Sequence, residues 1–509
     1  MKTNRLVLLA VLLSSVSWAG FAQDADQAYN LSENFYIGSA RTLAMGNAFT
    51  AVGGDLGAIS INPASSGVLR LSEFEISPAV IRATGNTEYL NSFNSGSFSK
   101  FTLPSVAYSQ NVPTGNLSGL VSVNFGVSFN RVKSFNSVVN VSGLMKAGRG
   151  DNSSSWAAEK ACTLLNYDSA YYGDYSSGIP WAAQLAWDSY LVEDVDGILL
   201  GATENYDYES DTPYLGGDIF QNLYRKTTGG IDELSINFAG NWNDNFYFGV
   251  NLNIYDVDYT VNDTYSEEAL SSLDFETGII DFTYDYWQRT VGAGIGLKAG
   301  IIYLPTQHLR IGATISTPTL YSLTDYWGSS LYNKFDNGNR NYCKSPDGTF
   351  DYRVTTPMRY SFGVAYTLGT SGIVSFDYEG VNYSKILMKN DYGNTAEFSG
   401  DNTYIRNNYM RNASIFRAGL EWNLGSSLAL RGGYSYYDDG RPGYDGNHFV
   451  SCGLGFRLSK GAFLDFAWQR QCKNENVFTL YDDYENYKAP VGYVTNRNNK
   501  ILATLRFKF

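Results

Sequence analysis

The sequence is poor in histidine, proline and positive charge, and after its first residues it has no long hydrophobic run. Its 509 residues include 2 histidines and 12 prolines, and the formal net charge is −13. A nucleic-acid-binding protein needs a basic surface to neutralise phosphates, so the charge excludes that class of partner. A membrane-spanning helix needs about 18 or more consecutive apolar residues, and the sequence after residue 22 offers no such run. The composition therefore excludes a helical membrane protein as well.

The scarcity of histidine also argues against an enzyme. His308 and His448 are the only imidazoles, and neither is accompanied by a nucleophile motif of the kind that hydrolases use. Acidic pairs such as Asp438-Asp439 lack the spaced oxygen ligands of a calcium loop. We therefore expect no catalytic residue, no metal site and no cofactor.

Cysteine is also rare. The chain has four cysteines, which allow three pairings and do not follow a zinc-site spacing; they are Cys162, Cys343, Cys452 and Cys472. The sequence leaves their pairing open.

The first residues, MKTNRLVLLAVLLSSVSWAGFAQ, have the pattern of a secretory signal peptide. Lys2 and Arg5 precede an apolar stretch that ends in small residues. We predict a signal peptide over residues 1–22, with cleavage before Gln23.

Aromatic residues and glycine are abundant, as in a protein of many strands closed by glycine turns. The chain has 40 tyrosines, 29 phenylalanines and 51 glycines. In the terminal segment ILATLRFKF, Ile501, Leu505 and Phe507 fall on one side of a strand and Arg506 on the other. Strict alternation of this kind marks a strand with one apolar and one polar face.

The same alternation predicts fourteen strands, at residues 73–87, 101–112, 117–132, 232–240, 246–258, 287–303, 309–322, 357–367, 373–385, 414–423, 427–437, 448–458, 463–472 and 499–509. Tight turns alternate along the chain with long connections. A soluble β-sandwich has no reason to sort its loops in this way, whereas a membrane barrel has short periplasmic turns and long extracellular loops. The pattern predicts an all-β, fourteen-stranded antiparallel outer-membrane barrel over residues 73–509, with 133–231 as a long extracellular loop.

Residues 23–72 precede the first predicted strand. They are rich in small residues and too apolar for a solvated tail, so we expect them to form a plug inside the barrel. Gly292, Gly294 and Gly296 lie in mid-strand with no helix after them, so they do not form a phosphate-binding loop. We expect these glycines to face the plug.

The run GSARTLAMGNAFTAVGGDLGAISINPASSGVL (38–69) resembles the N-terminal hatch of the FadL family of outer-membrane transporters for long-chain fatty acids and other hydrophobic compounds. The resemblance extends to LPSVAYSQNVP (103–113), to GVSFNRVKSFN (126–136) and to the terminal strand. It implies a fourteen-stranded barrel with a hatch, in which Asn62, Pro63 and Ala64 match the hatch motif.

The resemblance also implies a mechanism. Extracellular loops capture an apolar ligand, the lumen binds it, and it leaves sideways through a gap where the third strand kinks. Gly119 and Gly126 are the candidate kink positions, since glycine tolerates backbone distortion. The implied partners are a hydrophobic small molecule such as a fatty acid, outer-membrane lipid and lipopolysaccharide, and the barrel-assembly machinery that recognises the last strand.

Two further sets of residues are candidates for ligand contact. In IPWAAQLAWDSYLV, apolar residues recur at helical spacing and predict an amphipathic capture groove, or else a loop helix that packs on its neighbours; they are Trp181, Leu185, Trp187 and Leu191. Charged residues that alternate into the lumen predict a ligand carboxylate site, or else a network that neutralises itself and holds the plug; they are Arg310, Arg417, Arg431, Arg457, Arg506, Asp377, Glu379, Glu421 and Asp465.

A protein-binding role is the alternative function. Some relatives of the FadL family act in type IX secretion as surface shuttles for cargo proteins, and a bulky, acidic, tyrosine-rich set of loops suits protein contact as well as ligand capture. An apolar lumen pocket would favour transport, and a solid polar interior would favour the shuttle.

Overall fold

The structure is a computed structural model, which describes residues 25–148, 153–408, 411–442, 444, 446–472, 474–485 and 487–509. The predicted signal peptide and the first two residues of the predicted plug lie outside the described residues. In the described part of the chain, no helix is long and apolar enough to cross a membrane.

Fourteen strands form a closed antiparallel barrel, as the alternation predicts. In chain order they are β1 (Glu73–Tyr89), β2 (Ser92–Pro113), β3 (Leu120–Ser134), β9 (Ile219–Trp242), β10 (Phe246–Ala269), β11 (Ile279–Tyr303), β12 (Leu309–Ser316), β16 (Arg359–Thr367), β17 (Gly372–Asn382), β19 (Asn412–Leu424), β20 (Leu428–Tyr437), β21 (Asn447–Arg457), β22 (Ala462–Gln471) and β24 (Gly492–Lys508). Each pairs with its neighbours in sequence, and β24 pairs with β1 from Lys508 opposite Glu73 to Tyr493 opposite Glu88. Closure leaves the wall without a first or last edge.

The remaining strands lie at or above the end of the barrel that carries the long loops. They are β4 (Ser137–Met145), β5 (Val192–Val195), β6 (Ile198–Gly201), β7 (Glu204–Asp207), β8 (Thr212–Leu215), β13 (Leu320–Phe335), β14 (Arg340–Lys344), β15 (Gly348–Thr355), β18 (Leu387–Asn390) and β23 (Asn474–Phe478). The α-helices are α1 (Ala25–Ser32), α2 (Ala40–Ala44), α3 (Trp156–Leu164), α4 (Trp181–Asp188) and α5 (Ser399–Asn408). Short 3₁₀ helices occur at Leu56–Ala58, Pro63–Val68, Ser169–Tyr171, Ser272–Asp274 and Tyr383–Lys385.

The apolar faces of the barrel strands point outward, which decides between barrel and sandwich. In the last strand, Ile501 is 56% exposed on the outside, whereas Leu502 and Thr504 are buried on the inside. The same outward apolar band continues around the wall, for example at Ile236 and Val250. An apolar outer surface with a polar inner face is the arrangement of a barrel in lipid.

Aromatic residues border this band near the short turns, as in membrane barrels. Trp242, Tyr303, Tyr366 and Trp422 are all exposed there. On the loop side of the band the outer face becomes charged.

Several strands extend further toward the loops than the alternation predicts. Both ends of the segment 133–231 belong to strands, because β3 continues to Ser134 and β9 begins at Ile219. The part of this connection that lies between β4 and β9 therefore runs from 146 to 218. The upper strand ends have polar residues on both faces, so they carry no signal of period two.

The long loops form a compact domain in the upper end of the barrel, which we call the loop domain (residues 153–218 with 270–278 and 474–491 in its described parts). Its core contains Trp156, Leu191 and Tyr481 together with Phe282 and Leu331 of the upper strands. The loop domain thus packs on inward-facing residues of the wall.

Candidate functional site

The N-terminal segment, residues 25–72, lies inside the barrel. Its groups bond to inward-facing groups of strands all around the wall: Thr504 of β24, Asn237 of β9, Asn251 of β10, Lys298 of β11, Arg310 of β12, Asp377 of β17, Glu421 of β19 and Ser435 of β20. A single segment can contact all of these strands only from within the closed sheet.

The motif Asn62-Pro63-Ala64 fastens this segment to β9, β10 and β11. The Asn62 side chain caps the 3₁₀ helix by accepting from the Ala64 N–H (2.9 Å), and it donates to the carbonyls of Thr50 (2.6 Å) and Ile301 (3.2 Å). The Pro63 carbonyl accepts from Asn237 Nδ2 (3.0 Å). Both N–H groups of the Asn62 amide thus donate, one within the segment to Thr50 and one to the wall at Ile301.

A ring of inward-facing glycines makes room for the segment. A Cβ atom on Gly249 would lie 2.5 Å from the Pro63 carbonyl, and one on Gly419 would lie 2.5 Å from the Met45 carbonyl oxygen. Equivalent overlaps with residues 44–63 arise at Gly300, Gly312, Gly363, Gly433 and Gly453. Glycine in a strand interior often marks the close approach of another backbone, and here it does so on seven of the fourteen barrel strands.

The sequence pattern singled out three other glycines, Gly292, Gly294 and Gly296, and none of them belongs to this ring. A Cβ on Gly294 would meet the ring of Tyr321, and one on Gly292 would meet the backbone of the neighbouring strand at Ser322. The expectation that Gly292, Gly294 and Gly296 face the N-terminal segment is therefore wrong. The spacing of inward glycines on seven strands was the signal that could have found the ring.

Charged residues form a closed ring near the short turns. Arg41 of the N-terminal segment pairs with Glu421 (2.8 Å), which pairs with Arg431 (2.7 Å). The ring continues from Arg431 to Asp465 (2.6 Å), from Asp465 to Arg506 (3.9 Å), and from Arg506 through Asp55 back to Arg41 (3.4 and 3.8 Å). Each charged side chain of the ring lies between two of the opposite sign, so the ring is neutral. Two of its members, Arg41 and Asp55, belong to the N-terminal segment.

A second charged cluster lies higher in the lumen. Glu379 binds Arg359 (2.7 Å) and Arg417 (2.6 Å), and Arg359 also donates to the Ser32 carbonyl at the end of α1. Asp377 accepts from the Thr50 N–H (2.8 Å).

The predicted inward charges therefore form a self-neutralising network that holds the N-terminal segment. Arg310 and Arg457 are exceptions. Arg310 makes no ion pair among the described residues and donates to the Val52 carbonyl, and Arg457 is exposed and donates to the Ser459 carbonyl (3.3 Å). A cavity of about 330 Å³ at the short-turn end is lined by polar members of the ring and by Arg457.

Above the charged clusters the lumen is lined by apolar and aromatic side chains, and α1 fills it. Ala28, Tyr29 and Leu31 of α1 pack with wall residues in one buried cluster, whose wall members include Val132, Phe135, Tyr255, Val257, Tyr321, Leu323, Tyr352 and Val354. The interior of the barrel is therefore neither empty nor wholly polar. Its apolar part is occupied by the chain's own helix.

The wall has a seam beside this apolar region. The β2–β3 ladder ends at the pair Ser105 and Asn130, and β2 residues 92–104 pair only with β1 in the described structure. Across the seam, Arg131 Nη1 donates to Thr102 Oγ1 (3.2 Å), and above it Asn94 Nδ2 of β2 donates to the Ser142 carbonyl of β4 (3.0 Å).

The N-terminal segment covers the seam from inside. The Phe35 N–H donates to the Val132 carbonyl (2.6 Å), and the Ile37 N–H donates to the Arg131 carbonyl (3.2 Å). Lys133 pairs with Glu33 (2.8 Å) and also donates to a carbonyl of α1. The backbone that β2 leaves unpaired on β3 is thus satisfied by residues next to α1.

The structure does not place a kink at either predicted glycine. Gly119 has φ +75° in the turn before β3, where its N–H donates to Asn243 Oδ1 (2.5 Å). Gly126 lies in a regular stretch, paired with Ser109 on one side and Asn237 on the other. The irregularity nearest the seam is a register shift between Arg131 and Lys133.

The four predicted groove residues belong to the loop domain. Leu185 and Leu191 are fully buried in its core. The rings of Trp181 and Trp187 are half-buried, and they pack on Trp327 and Tyr172 respectively. Trp181, Leu185 and Trp187 belong to α4, which ends at Asp188, and Leu191 follows it; all four side chains pack on their neighbours instead of lining an open groove.

Two buried carboxyls of the upper barrel and loop domain were not anticipated. Glu267 accepts from the Trp156 N–H (2.9 Å), Gln221 Nε2 (2.9 Å) and the Tyr265 hydroxyl (2.7 Å), yet burial raises its pKa to about 7. Burial likewise raises the pKa of Glu204 to about 7. In the sequence nothing distinguishes them from surface acids.

Both histidines contact groups of neighbouring segments, and the His448 carbonyl also accepts from the Cys472 N–H (2.7 Å). His308 Nδ1 contacts the Thr367 carbonyl (3.2 Å), and His448 Nδ1 contacts the Tyr434 hydroxyl (2.6 Å). All four cysteines are free thiols. The described residues contain no cluster of three or more His, Cys, Asp or Glu that could hold a metal ion.

Fold and site together define a class: a closed fourteen-stranded barrel whose outer face is apolar and whose lumen holds its own N-terminal segment. The chain has the fold of the P. putida toluene transporter TodX (TM-score 0.52, 13% identity, 94% of this chain and 99% of that one). It is also similar to a Pseudomonas aeruginosa FadL homologue (TM-score 0.55, 12% identity, 94% and 100%) and to the deltaS2 mutant of the monoaromatic hydrocarbon channel TodX (0.51, 12%, 92% and 98%). No protein-family model and no curated protein matches the sequence.

Proposed function

We propose that this chain is an outer-membrane channel of the FadL type for the passive uptake of hydrophobic small molecules such as long-chain fatty acids. The apolar lumen region filled by α1, directly beside the seam between β2 and β3, is the observation that carries the proposal. An apolar ligand can replace the contacts of Tyr29 and Leu31 at little cost, because the surrounding surface is already complementary to hydrocarbon.

The seam provides the exit in this proposal. At its outer lip, Phe101 is 72% and Leu103 is 41% exposed, at the upper edge of the apolar band. A ligand that leaves here enters hydrocarbon directly. The exit is set by the end of the β2–β3 ladder, so it does not need a kink at a glycine.

The N-terminal segment is the plug that gates this route. While α1 is seated, Lys133 and the backbone of Arg131 and Val132 are satisfied by residues 30–37. When a ligand displaces α1, these bonds are lost and the seam opens toward the lumen. On the outside, the loop domain must move for a ligand to reach this region, because its packed core fills the upper barrel.

The proposal is tested by uptake of radiolabelled oleate into Gram-negative cells that lack their own fatty-acid channel. Wild type should raise uptake above the vector control. Lys133→Met, which removes the tether to Glu33 and α1, should raise it further, because less free energy is needed to unseat α1. Lys146→Met, which removes only the exposed ion pair with Asp218, is the matched control.

Uptake at the level of the vector control, with the barrel correctly folded in the membrane, would overturn the channel proposal. If wild type transports and Lys133→Met is unchanged, the gating role of α1 is wrong. The alternative, a surface shuttle of the type IX secretion kind, predicts no uptake, no co-purified apolar ligand in lipid extracts and a stable complex with a secreted protein.

A further inference from the structure

A row of outward-facing residues crosses four neighbouring strands just above the apolar band. Ala293 of β11 is opposite Ser322 of β13, Ser322 is opposite Arg353 of β15, and Arg353 is opposite Lys389 of β18. Directly opposed residues point to the same side of a sheet, so the Arg353 and Lys389 side chains are neighbours on the outer surface.

The next row toward the short turns is apolar. It contains Ile295, Leu320, Thr355 and Leu387 in the same register. Ile295 and Leu320 are about half exposed, at 49% and 56%. The outer surface therefore changes from hydrocarbon-like to cationic within one step of two residues along the strands.

The two rows border a concavity on the outer wall of about 530 Å³. Small residues form the floor of this concavity, namely Ala293, Gly294 and Ser322. The larger side chains of Ile295 and Leu320 line it beside them. Arg353 and Lys389 form its rim on the loop side.

The rim cations are available for a ligand. Arg353 makes one ion pair, with Asp391 (3.1 Å), and both side chains are 51% exposed, so the pair contributes little free energy. Lys389 makes no ion pair among the described residues. Two adjacent cations are notable on a chain whose formal net charge is −13.

We propose that this concavity binds an anionic, phosphate-bearing lipid of the outer leaflet, with its phosphate on Arg353 and Lys389 and its acyl chains along Ile295 and Leu320. Charge complementarity selects the headgroup, and the apolar row fixes its depth. The inference rests on the membrane location given under the proposed function, and it is independent of whether the channel transports fatty acids.

The test is native mass spectrometry of the full-length protein in detergent with added diphosphoryl lipid A. Phosphatidylethanolamine, whose headgroup has no net charge, is the comparison lipid, and inorganic phosphate is the competitor. The variant is Arg353→Gln/Lys389→Gln. The matched control is Arg82→Gln/Arg470→Gln, which removes two exposed outward arginines that flank β24 at a comparable height and do not line the concavity.

The expected result is retention of lipid A by wild type in preference to phosphatidylethanolamine, with binding about thirtyfold weaker in Arg353→Gln/Lys389→Gln, because two cation interactions of about 1 kcal/mol each are lost. The control variant should bind as wild type does, and inorganic phosphate should not displace the lipid because it makes no contact with the apolar row.

If Arg82→Gln/Arg470→Gln lost as much lipid A binding as Arg353→Gln/Lys389→Gln, the attraction would come from surface charge in general. That result would overturn the proposed site. Displacement by inorganic phosphate would show an anion site without lipid selectivity, which also overturns it. Fatty-acid uptake by Arg353→Gln/Lys389→Gln should stay at the wild-type rate, so failure of the lipid site and failure of the channel proposal are distinguishable.

Discussion

Arg41 Nε lies 2.8 Å from Glu421 Oε2, and this contact joins the N-terminal segment to the inner wall of the barrel. Arg41 also faces Asp55, so its removal leaves Glu421 and Asp55 each with one arginine instead of two. Removing one partner of a largely buried ion pair is costly because the other partner stays desolvated.

We predict that Arg41→Gln loosens the N-terminal segment without opening the barrel. The expected change is faster protease cleavage within residues 25–72, with a loss of about 2 to 4 kcal/mol in the stability of the seated segment. Limited proteolysis followed by mass spectrometry measures it. Arg457→Gln is the control, because Arg457 lines the same cavity but makes no ion pair among the described residues; its side chain donates to the Ser459 carbonyl and lies over the Phe463 ring. Equal cleavage in both variants would contradict a specific role for the ring.

A second prediction concerns the glycine ring. Gly249→Ala and Gly300→Ala each place a methyl group on the Asn62-Pro63 backbone or side chain, so the segment or the strand must shift. Overpacking of this kind costs about 1 to 3 kcal/mol. We expect the temperature at which the barrel loses its compact electrophoretic mobility to fall.

Gly432→Ala is the matched control for this measurement. Gly432 is a glycine of the same strand region, on β20, but it faces outward opposite Leu420 and Cys452, and no atom lies within 4 Å of the Cβ that it would gain. If Gly432→Ala were as destabilising as the other two, the cost would come from the strand itself rather than from contact with the N-terminal segment.

The outcome at these glycines shows what the sequence could and could not predict. The fourteen strands and their loop alternation were predictable, since one face of each strand meets lipid and the period of two is therefore strict. The upper ends of β9 and β10 were missed because polar residues are mixed with apolar ones there, as at Gln221 beside Leu223 and Asp263 beside Tyr265, so the alternation is not strict. Which glycine faces the N-terminal segment depends on register and on a contact between residues more than 180 positions apart, as between Pro63 and Gly249, and local patterns do not contain that information.

The candidate site was predictable to a similar, limited degree. The charge alternation correctly placed Arg417, Arg431 and Arg506 in the lumen, because inward positions follow from strand parity. Their partners on the N-terminal segment, and the end of the β2–β3 ladder, are tertiary features. The helical spacing of Trp181 and Leu185 predicted a helix, and it left open whether the apolar stripe forms a groove or packs on its neighbours.

A third prediction concerns Asn62. Asn62→Ala removes one cap acceptor and two donors, and leaves the carbonyls of Thr50 and Ile301 without these partners. Loss of an N-cap costs about 0.5 to 2 kcal/mol, and the buried carbonyls add to that cost. We expect faster amide hydrogen exchange at residues 63–68. Asn116→Ala, in an exposed turn, is the control and should leave exchange in this segment unchanged.

A fourth prediction concerns the pH dependence of the loop domain. The folded-state pKa of Glu267 is raised to about 7 from an ordinary value of 4.5, so the folded state binds the proton more tightly than the unfolded state does. The contribution of Glu267 to folding stability is fully present below pH 4.5 and is lost as pH rises through about 7. For one such carboxyl, this contribution is about 3 kcal/mol. Glu204 acts in the same direction. Hydrogen exchange in residues 153–218, corrected for intrinsic rates, should therefore show lower protection at pH 8 than at pH 5.

Glu267→Gln should reduce this dependence to the part that Glu204 contributes, because the amide does not ionise and keeps an oxygen that can accept from the Trp156 N–H. Glu209→Gln, which changes an exposed glutamate of the same loop, should retain the wild-type slope. Since Glu267 links α3 to β9 and β10 through Trp156 and Gln221, its ionisation weakens the attachment of the loop domain to the wall. Protection that is independent of pH in wild type, or that rises from pH 5 to pH 8, would show that Glu267 is not the group that couples pH to the packing of this domain.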